Sequence, residues 1–211
     1  MEGIFSVDGK AAGAIRTATD LVKLNLVWLL CCIPLVTIGA STTALYSVVI
    51  KMVKNEDSYV VRSFFSSFRE NFKQATAVWL IICMIAAILS FDFYFSSHAQ
   101  IESAPLMLIP FLIAAILLIM LILYVFPVMA VFQNSLKKVF KNSLLLAWAH
   151  LPQTILALII ALGPAAICFL FSGKISLMIY INLVFGVAFF TWVNAHIFVK
   201  LFQPYMPKED I

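Results

Sequence analysis

Charge is scarce in this chain, and what there is comes in clumps. Asp, Glu, Lys and Arg make up 11% of its 211 residues and hydrophobic residues 64%, against about 25% charged and ~45–50% apolar in a water-soluble domain. A soluble fold of this size cannot hide that much apolar surface, so the aqueous globular classes are excluded and a bilayer is implied. The constellations of catalysis are also missing. His98, His150 and His196 are scattered without an HExxH spacing, and the sequence holds no P-loop, no glycine-rich dinucleotide fingerprint and no GxSxG. Cys31, Cys32, Cys83 and Cys168 lie in apolar runs without CxxC spacing and read as small buried hydrophobes. We therefore expect no enzyme activity, no cofactor, no metal and no nucleic-acid partner. No Gly/Ser linker or low-complexity tract divides the chain, so residues 1–211 read as one membrane domain. Glu2 and Asp8 precede the first apolar run, which starts only at Leu24, and this argues against a cleaved signal peptide.

What is present is a set of long uncharged windows: Leu24–Ile50, Gln74–Phe91, Ser103–Leu136, Asn142–Gly173 and Ile175–Val199. A spanning helix needs about 20 mostly apolar residues. The second, third and fifth windows hold one span each, and so does the fourth after a polar start around His150, Pro152 and Gln153. Lys and Arg mark the cytoplasmic side. With helices over 74–95 outward, 106–132 inward, 152–172 outward and 175–199 inward, every basic residue except Lys174 falls inside. The first window is flanked by Lys23 and Lys51. Pro34 and Gly39 favour a break within it, and Ser41-Thr42-Thr43 offers a helix N-cap. We read a helical hairpin, with one helix from near Ala14 to near Thr37 and a second from about Thr42 to Lys54. The second is short for a full span, so Lys51 and Lys54 would have to snorkel. The alternative, a single kinked span with the N-terminus outside, strands Lys10, Arg16 and Lys23 on the wrong side. The expected fold is all-α: a polytopic transmembrane bundle of about six helices, N-terminus and C-terminus cytoplasmic, whose first two helices form a Pro/Gly-broken hairpin.

Two basic segments precede spans, Arg62–Asn71 and Leu136–Asn142. Both are amphipathic and should lie in the inner interface as elbows, drawn there by anionic lipid. The sharper reading makes the first a cytoplasmic docking surface built on Arg62, Phe65, Phe68, Arg69, Asn71 and Lys73. Asp92 is the acidic residue that could sit within a span, where carboxylates are functional candidates by default. It follows Lys73 by about 28 Å of helix, which places it near the outer interface in the aromatic belt of Phe91, Phe93, Tyr94 and Phe95. Thr76, Cys83 and Ser90 share one helix face, as do Asn182, Phe189 and His196 on the last helix. Such stripes usually pack helix on helix; the alternative is a solute path lined by Asn182, Asn194 and His196. Gly163-Pro164 should kink its helix.

Asn25-Leu-Val-Trp28, Ile33-Pro-Leu-Val-Thr-Ile-Gly39 and Thr42-Thr-Ala-Leu-Tyr46, followed by the run Val61–Ala75, resemble the opening blocks of the YesL family of bacterial integral membrane proteins. The resemblance singles out Asn25, Trp28, Pro34, Thr37, Gly39 and Thr42 as packing or functional positions and implies a bacterial plasma membrane location. The family's biochemical activity is not assigned. Its genes neighbour those of carbohydrate ABC transporters and sensor kinases, which implies a non-enzymatic accessory role in carbohydrate uptake or sensing, with those components as partners. The alternative is a small transporter or channel whose path runs along the broken hairpin and the last helix.

Overall fold

A computed structural model describes residues 3–56, 59–98, 104–163, 165–166 and 186–206, with side chains from residue 12, to residue 96 and from residue 109 in the respective segments. Among the described residues there are seven α-helices and no strand: α1 Gly3–Cys32, α2 Ile38–Val53, α3 Val60–His98, α4 Ala104–Val131, α5 Leu136–Ala149, α6 Leu151–Ala161 and α7 Gly186–Phe202. Three stretches are long and apolar enough to cross a membrane, Leu35–Val53, Val60–Ser96 and Ile109–Val131, and α5 with α6 form a further pair bent by 103°. The all-α membrane bundle expected from the sequence is what the chain forms.

The helices are laid out by one break and one corner. The break is at Pro34, whose ring ends α1; a 3-10 turn over Leu35–Thr37 then leads into α2. Freed carbonyls find donors. The Thr37 hydroxyl bonds Cys31 O and Pro34 O (2.7 Å to the latter), and Trp79 Nε1 of α3 donates to Leu35 O at 2.9 Å. Because Thr37 closes the turn, α2 begins at Ile38 rather than near Thr42. Ser41, Thr42 and Thr43 therefore lie inside it instead of capping it, and Thr43 Oγ1 bonds back to Gly39 O. At the other limit, α1 begins at Gly3, well before Ala14. Lys23 ends the apolar window, but the segment before it, with its alanines, Lys and Arg, favours helix.

Gly39 does not break the chain. It lies in the first turn of α2, buried against α3, where an added Cβ would sit 2.6 Å from both Ala75 O and Trp79 Cβ. The glycine permits a close backbone approach between the two helices, which is why α2 packs more extensively on α3 than on any other element. The residues from Gly39 to Ile50, all but half-buried Thr42, are buried among α3, α4, α7 and α1. An aromatic chain seals this centre: Tyr46 and Tyr124 both meet the Phe198 ring edge-on (5.9 and 5.2 Å), and Phe202 stacks on Phe198 and meets Phe132.

α3 and α4 run antiparallel, with Trp79 beside Phe126 and Phe93 stacked on Phe111. From the hairpin tip at Trp79 to Phe93 is 14 residues, about 21 Å of helix, so the α1–α2 hairpin stops well short of the far end of the α3–α4 pair. The side chains of that far part, including Leu80, Met84, Ile88, Ile109, Leu112 and Ile116, point outward, as lipid-facing residues do.

The corner is at His150. Pro152 cannot donate to the helix ladder, and the chain turns between α5 and α6. Thr154 Oγ1 lies 2.9 Å from Ala147 O and 3.0 Å from His150 O, and Tyr124 OH meets it at 2.8 Å from α4. The fourth window thus holds most of the amphipathic α5 and, after the polar start at His150, a separate α6; the later part of the span expected over 152–172 lies outside the described residues. Gly163 follows α6 and packs on Phe190 of α7, where a Cβ would collide with the ring; Pro164 lies outside the described residues.

Asn25 joins the first helix to the last. Its side chain is fully buried, and Oδ1 accepts the backbone N–H of Ala188 at 3.1 Å.

Two stability predictions follow from these contacts. Gly39→Ala forces a Cβ onto the α3 backbone and should cost ~1–3 kcal/mol, while Gly13→Ala, which meets nothing within 4 Å, should cost nothing. Thermal unfolding in mild detergent tests the pair; equal melting temperatures for the two variants would sink the close-approach argument. Asn25→Leu strands the Ala188 amide in an apolar setting and should cost ~1–3 kcal/mol. Wild-type melting of that variant would show that the bond is dispensable.

Candidate functional site

Most of the described Lys and Arg residues gather at one end of the bundle, where α2, α4 and α7 finish and α3 and α5 begin. Contacts across this end tie it together: Gln133 Nε2 donates to Glu70 Oε1 at 3.1 Å, Gln74 Nε2 to Asn134 O at 2.6 Å, and Lys54 Nζ approaches Met206 Sδ at 3.4 Å. The turn from α2 to α3 is fixed by its backbone. Asn55 takes the left-handed conformation (φ 58°), Glu56 N bonds to Lys51 O and Asn55 N to Met52 O, a Schellman closure that Asn tolerates better than most residues.

The segment Arg62–Lys73 is the first part of α3, a 39-residue helix. It is not a separate elbow lying ahead of the span: the helix runs through without interruption. Its faces do different things. Phe64 and Ser67 turn inward and are buried, whereas Val61, Phe65 and Phe72 are 37%, 43% and 38% exposed. With half-buried Phe68, these follow a spacing of 4, 3 and 4 residues, one stripe of a helix. Phe68 packs edge-on against Phe72 and stacks with Phe64. Arg69 and Lys73 stand exposed beside the stripe. Asn71 donates back to Ser67 O at 3.0 Å, so its amide secures its own helix. Arg62 belongs to a different face, the wall of a cleft towards α2.

That cleft, of about 290 Å³, has Ser47 and Lys51 of α2 on one side and Arg62, Ser63, Ser66 and Glu70 of α3 on the other. A second cavity of about 250 Å³ shares Ser47 and Lys51 and extends to Lys54 and Glu56. The sequence reading missed Ser47, Lys51, Ser63 and Ser66 as a group. The signal was there as a polar i, i+4 pair on α2 facing the polar side of α3, but it needed the pairing of the two helices to be visible. The second basic segment, Leu136–Asn142, forms the start of α5, with Lys137, Lys138 and Lys141 exposed and Val139, Ser143, Leu146 and Ala147 buried. This is the amphipathic division expected of an interfacial helix.

The remaining sequence candidates divide into joints and surface positions. Asn25, Thr37 and Gly39 hold the hairpin, as described; Trp28 Nε1 bonds Thr42 Oγ1 at 3.4 Å between its two arms, and Pro34 stands exposed at the tip. Asp92 is exposed towards the far end of α3, among exposed Phe91, Phe93, Tyr94 and Phe95. Along the Thr76 face, Thr76 and Cys83 are half-buried, while Ser90 is exposed and bonds back to Ala86 O. Asn182 and Cys168 lie outside the described residues. On α7, Asn194 is buried and donates to Ala157 O at 3.1 Å, whereas His196 is exposed, its Nδ1 2.9 Å from Trp192 O. Two residues apart on a helix point nearly opposite ways, so Asn194 and His196 do not line one surface. No three His, Cys, Asp or Glu side chains come together to hold a metal ion among the described residues.

A family model described as "Protein of unknown function, DUF624" matches residues 21–93, about a third of the chain. The matched stretch contains the end of α1, the 3-10 turn, all of α2, the cleft walls and nearly all of α3. No curated protein and no solved structure matches the chain.

Proposed function

We propose that this chain is a non-enzymatic accessory subunit of the plasma membrane that docks a protein partner through the basic end of α3. The observation that carries the reading is the exposed stripe of Val61, Phe65 and Phe72 beside Arg69 and Lys73. A stripe of this kind can be taken up by lipid or by protein. Lipid takes it up where the stripe lies within the thickness of the bilayer or where the helix lies flat in the interface. Here the stripe is on the same unbroken helix as a span, and at 39 residues that helix is about 58 Å long, more than the ~40–45 Å of a bilayer with its headgroups. The stripe therefore stands along the span and out from it. α5, set at 103° to α6, is the element that can lie flat as an anchor.

The basic end is taken as cytoplasmic because Lys and Arg concentrate there. The nature of the partner rests on the YesL resemblance alone, which points to components of carbohydrate ABC transporters or sensor kinases. Chemically the partner is a helix or groove with apolar anchors and a carboxylate rim, matching Phe65 and Phe72 flanked by Arg69 and Lys73.

Photo-crosslinking residues placed at 65 and 72 in the native membrane should yield adducts with such a component, and Ile116, on the exposed apolar part of α4, serves as the control position. The double variant Phe65→Ala, Phe72→Ala should still insert and melt normally but lose most of the co-purifying partner in mild detergent. Adducts at 65 and 72 no stronger than at 116, together with co-purification unchanged in the double variant, would dispose of the docking reading.

A further inference from the structure

The cleft between α2 and α3 lies on a different face from the docking stripe and has its own chemistry. Ser47 is 91% buried by the complement of its 9% exposure and lines both cavities at this end. A serine within a helix commonly bonds back to the carbonyl four residues earlier, as Thr43 does one turn before it. Ser47 has no hydrogen-bond partner among the described residues, so its hydroxyl is held close to the open space with its donor unused. Lys51 is one turn further along the same side of α2, and Arg62 faces it from α3. Neither has an ion-pair partner among the described residues. The carboxylate in the cleft, Glu70, already accepts from Gln133. Ser63 and Ser66 add two hydroxyls, and α3 begins at Val60 beside them, which brings the positive end of its dipole to the same place.

Two cations, three hydroxyl donors and a helix N-terminus around one cavity of about 290 Å³ describe a receptor for a compact anion with several acceptor oxygens. From this arrangement we propose that the cleft binds a phosphate group, with Lys51 and Arg62 supplying charge and Ser47, Ser63 and Ser66 supplying hydrogen bonds. A phosphate offers three or more acceptor oxygens on one centre, and charge-assisted bonds to it are about twice as strong as neutral ones. The Schellman turn at Asn55 fixes the backbone that carries Lys51, so the cation is set in place before the anion arrives. The phosphate comes either from an anionic phospholipid headgroup, since Lys73 is only three residues beyond Glu70 on α3, or from a soluble phosphate ester on the basic side. The recognition chemistry is the same for both.

The test uses the full-length protein in a non-ionic detergent, reading the melting temperature as ligand is added. One arm titrates inorganic phosphate against sodium chloride at matched ionic strength. The other compares micelles doped with phosphatidylglycerol against micelles doped with phosphatidylcholine. A rise in melting temperature in either arm, saturating with concentration, is the expected result, and the arm that responds identifies the source. Lys51→Gln and Arg62→Gln should each weaken the apparent affinity by about tenfold or more, whereas Lys137→Gln on α5 should leave it unchanged. Ser47→Ala should melt at or above the wild-type temperature in chloride, because its hydroxyl faces the cavity and bonds nothing among the described residues, and yet show a smaller rise with ligand. That opposite pair of signs separates a binding role from a folding defect. Phe65→Ala, Phe72→Ala should bind as wild type does, so loss of the docking reading leaves this one standing. No saturable rise in either arm, or a rise that survives in the Lys51→Gln, Arg62→Gln double variant, overturns the proposal.

Discussion

The fold depends on how the break at Pro34 is made tolerable. Inside or near a bilayer every backbone polar group must find its partner within the protein, and a proline turn in an apolar hairpin frees several at once. Two side chains repair the damage, and a third fastens the last helix to the first. The Thr37 hydroxyl serves Cys31 O and Pro34 O, and Trp79 reaches from α3 to Leu35 O. Asn25 reaches from α1 to the amide of Ala188. Trp79 thus places α3 against the turn while Asn25 places α7 against α1, and together they set the three helices around α2. Gly39 then decides how close α2 and α3 can come. Local hydrogen-bond repair and global packing are the same event here.

That event has a consequence for the shape of the bundle. Because Trp79 fixes the hairpin tip about 21 Å short of Phe93, the hairpin fills only one half of the length of α3. This half acquires a core of the kind a soluble domain has, with Tyr46, Phe64, Tyr124, Phe198 and Phe202 all at or below 8% exposure. Among the described residues the other half is a pair of helices with apolar outer faces. The polar cleft and the exposed aromatic stripe both fall on the packed, basic half. Charged residues can stand there because their helices are held by interior packing, leaving the outer surface free to be polar.

Much of this was legible in the sequence. The uncharged windows located three stretches long and apolar enough to cross a membrane, the basic clusters marked one end, and Pro34 announced the break, because a missing N–H is a local property that no partner can restore. Gly39 was misread for the opposite reason. Glycine permits either a break or a close approach, and only the presence of Ala75 and Trp79 opposite it chooses between them. Ser41–Thr43 looked like a cap because hydroxyls favour helix starts, but α2 starts earlier, at Ile38, where the 3-10 turn closed by Thr37 leads straight into it. The windows also concealed the ends of helices: charge interrupts an apolar run without interrupting a helix, so α1 began far earlier and α3 ran straight through a segment read as an elbow. The cleft was the least legible feature. Ser47 sits in an apolar run where one serine is unremarkable, and Lys51 passes for a flanking charge until α3 is placed beside it.

The division of labour along the chain follows from these contacts. The stretch similar to the family model, residues 21–93, supplies the break, Asn25, Thr37, Gly39 and Trp79, together with every wall of the cleft. Yet its key groups are completed from outside it. Glu70 is engaged by Gln133, and Asn25 by Ala188; Tyr46 is covered by Phe198, and the second cavity is closed by residues up to Met206. Without Gln133, Glu70 would be free to pair with a cleft cation and compete with any anion. Without α7, the Asn25 carbonyl oxygen and the central face of α2 would lose their cover. The later helices therefore do more than add apolar length: they hold the hairpin in the bundle and engage the carboxylate of the cleft.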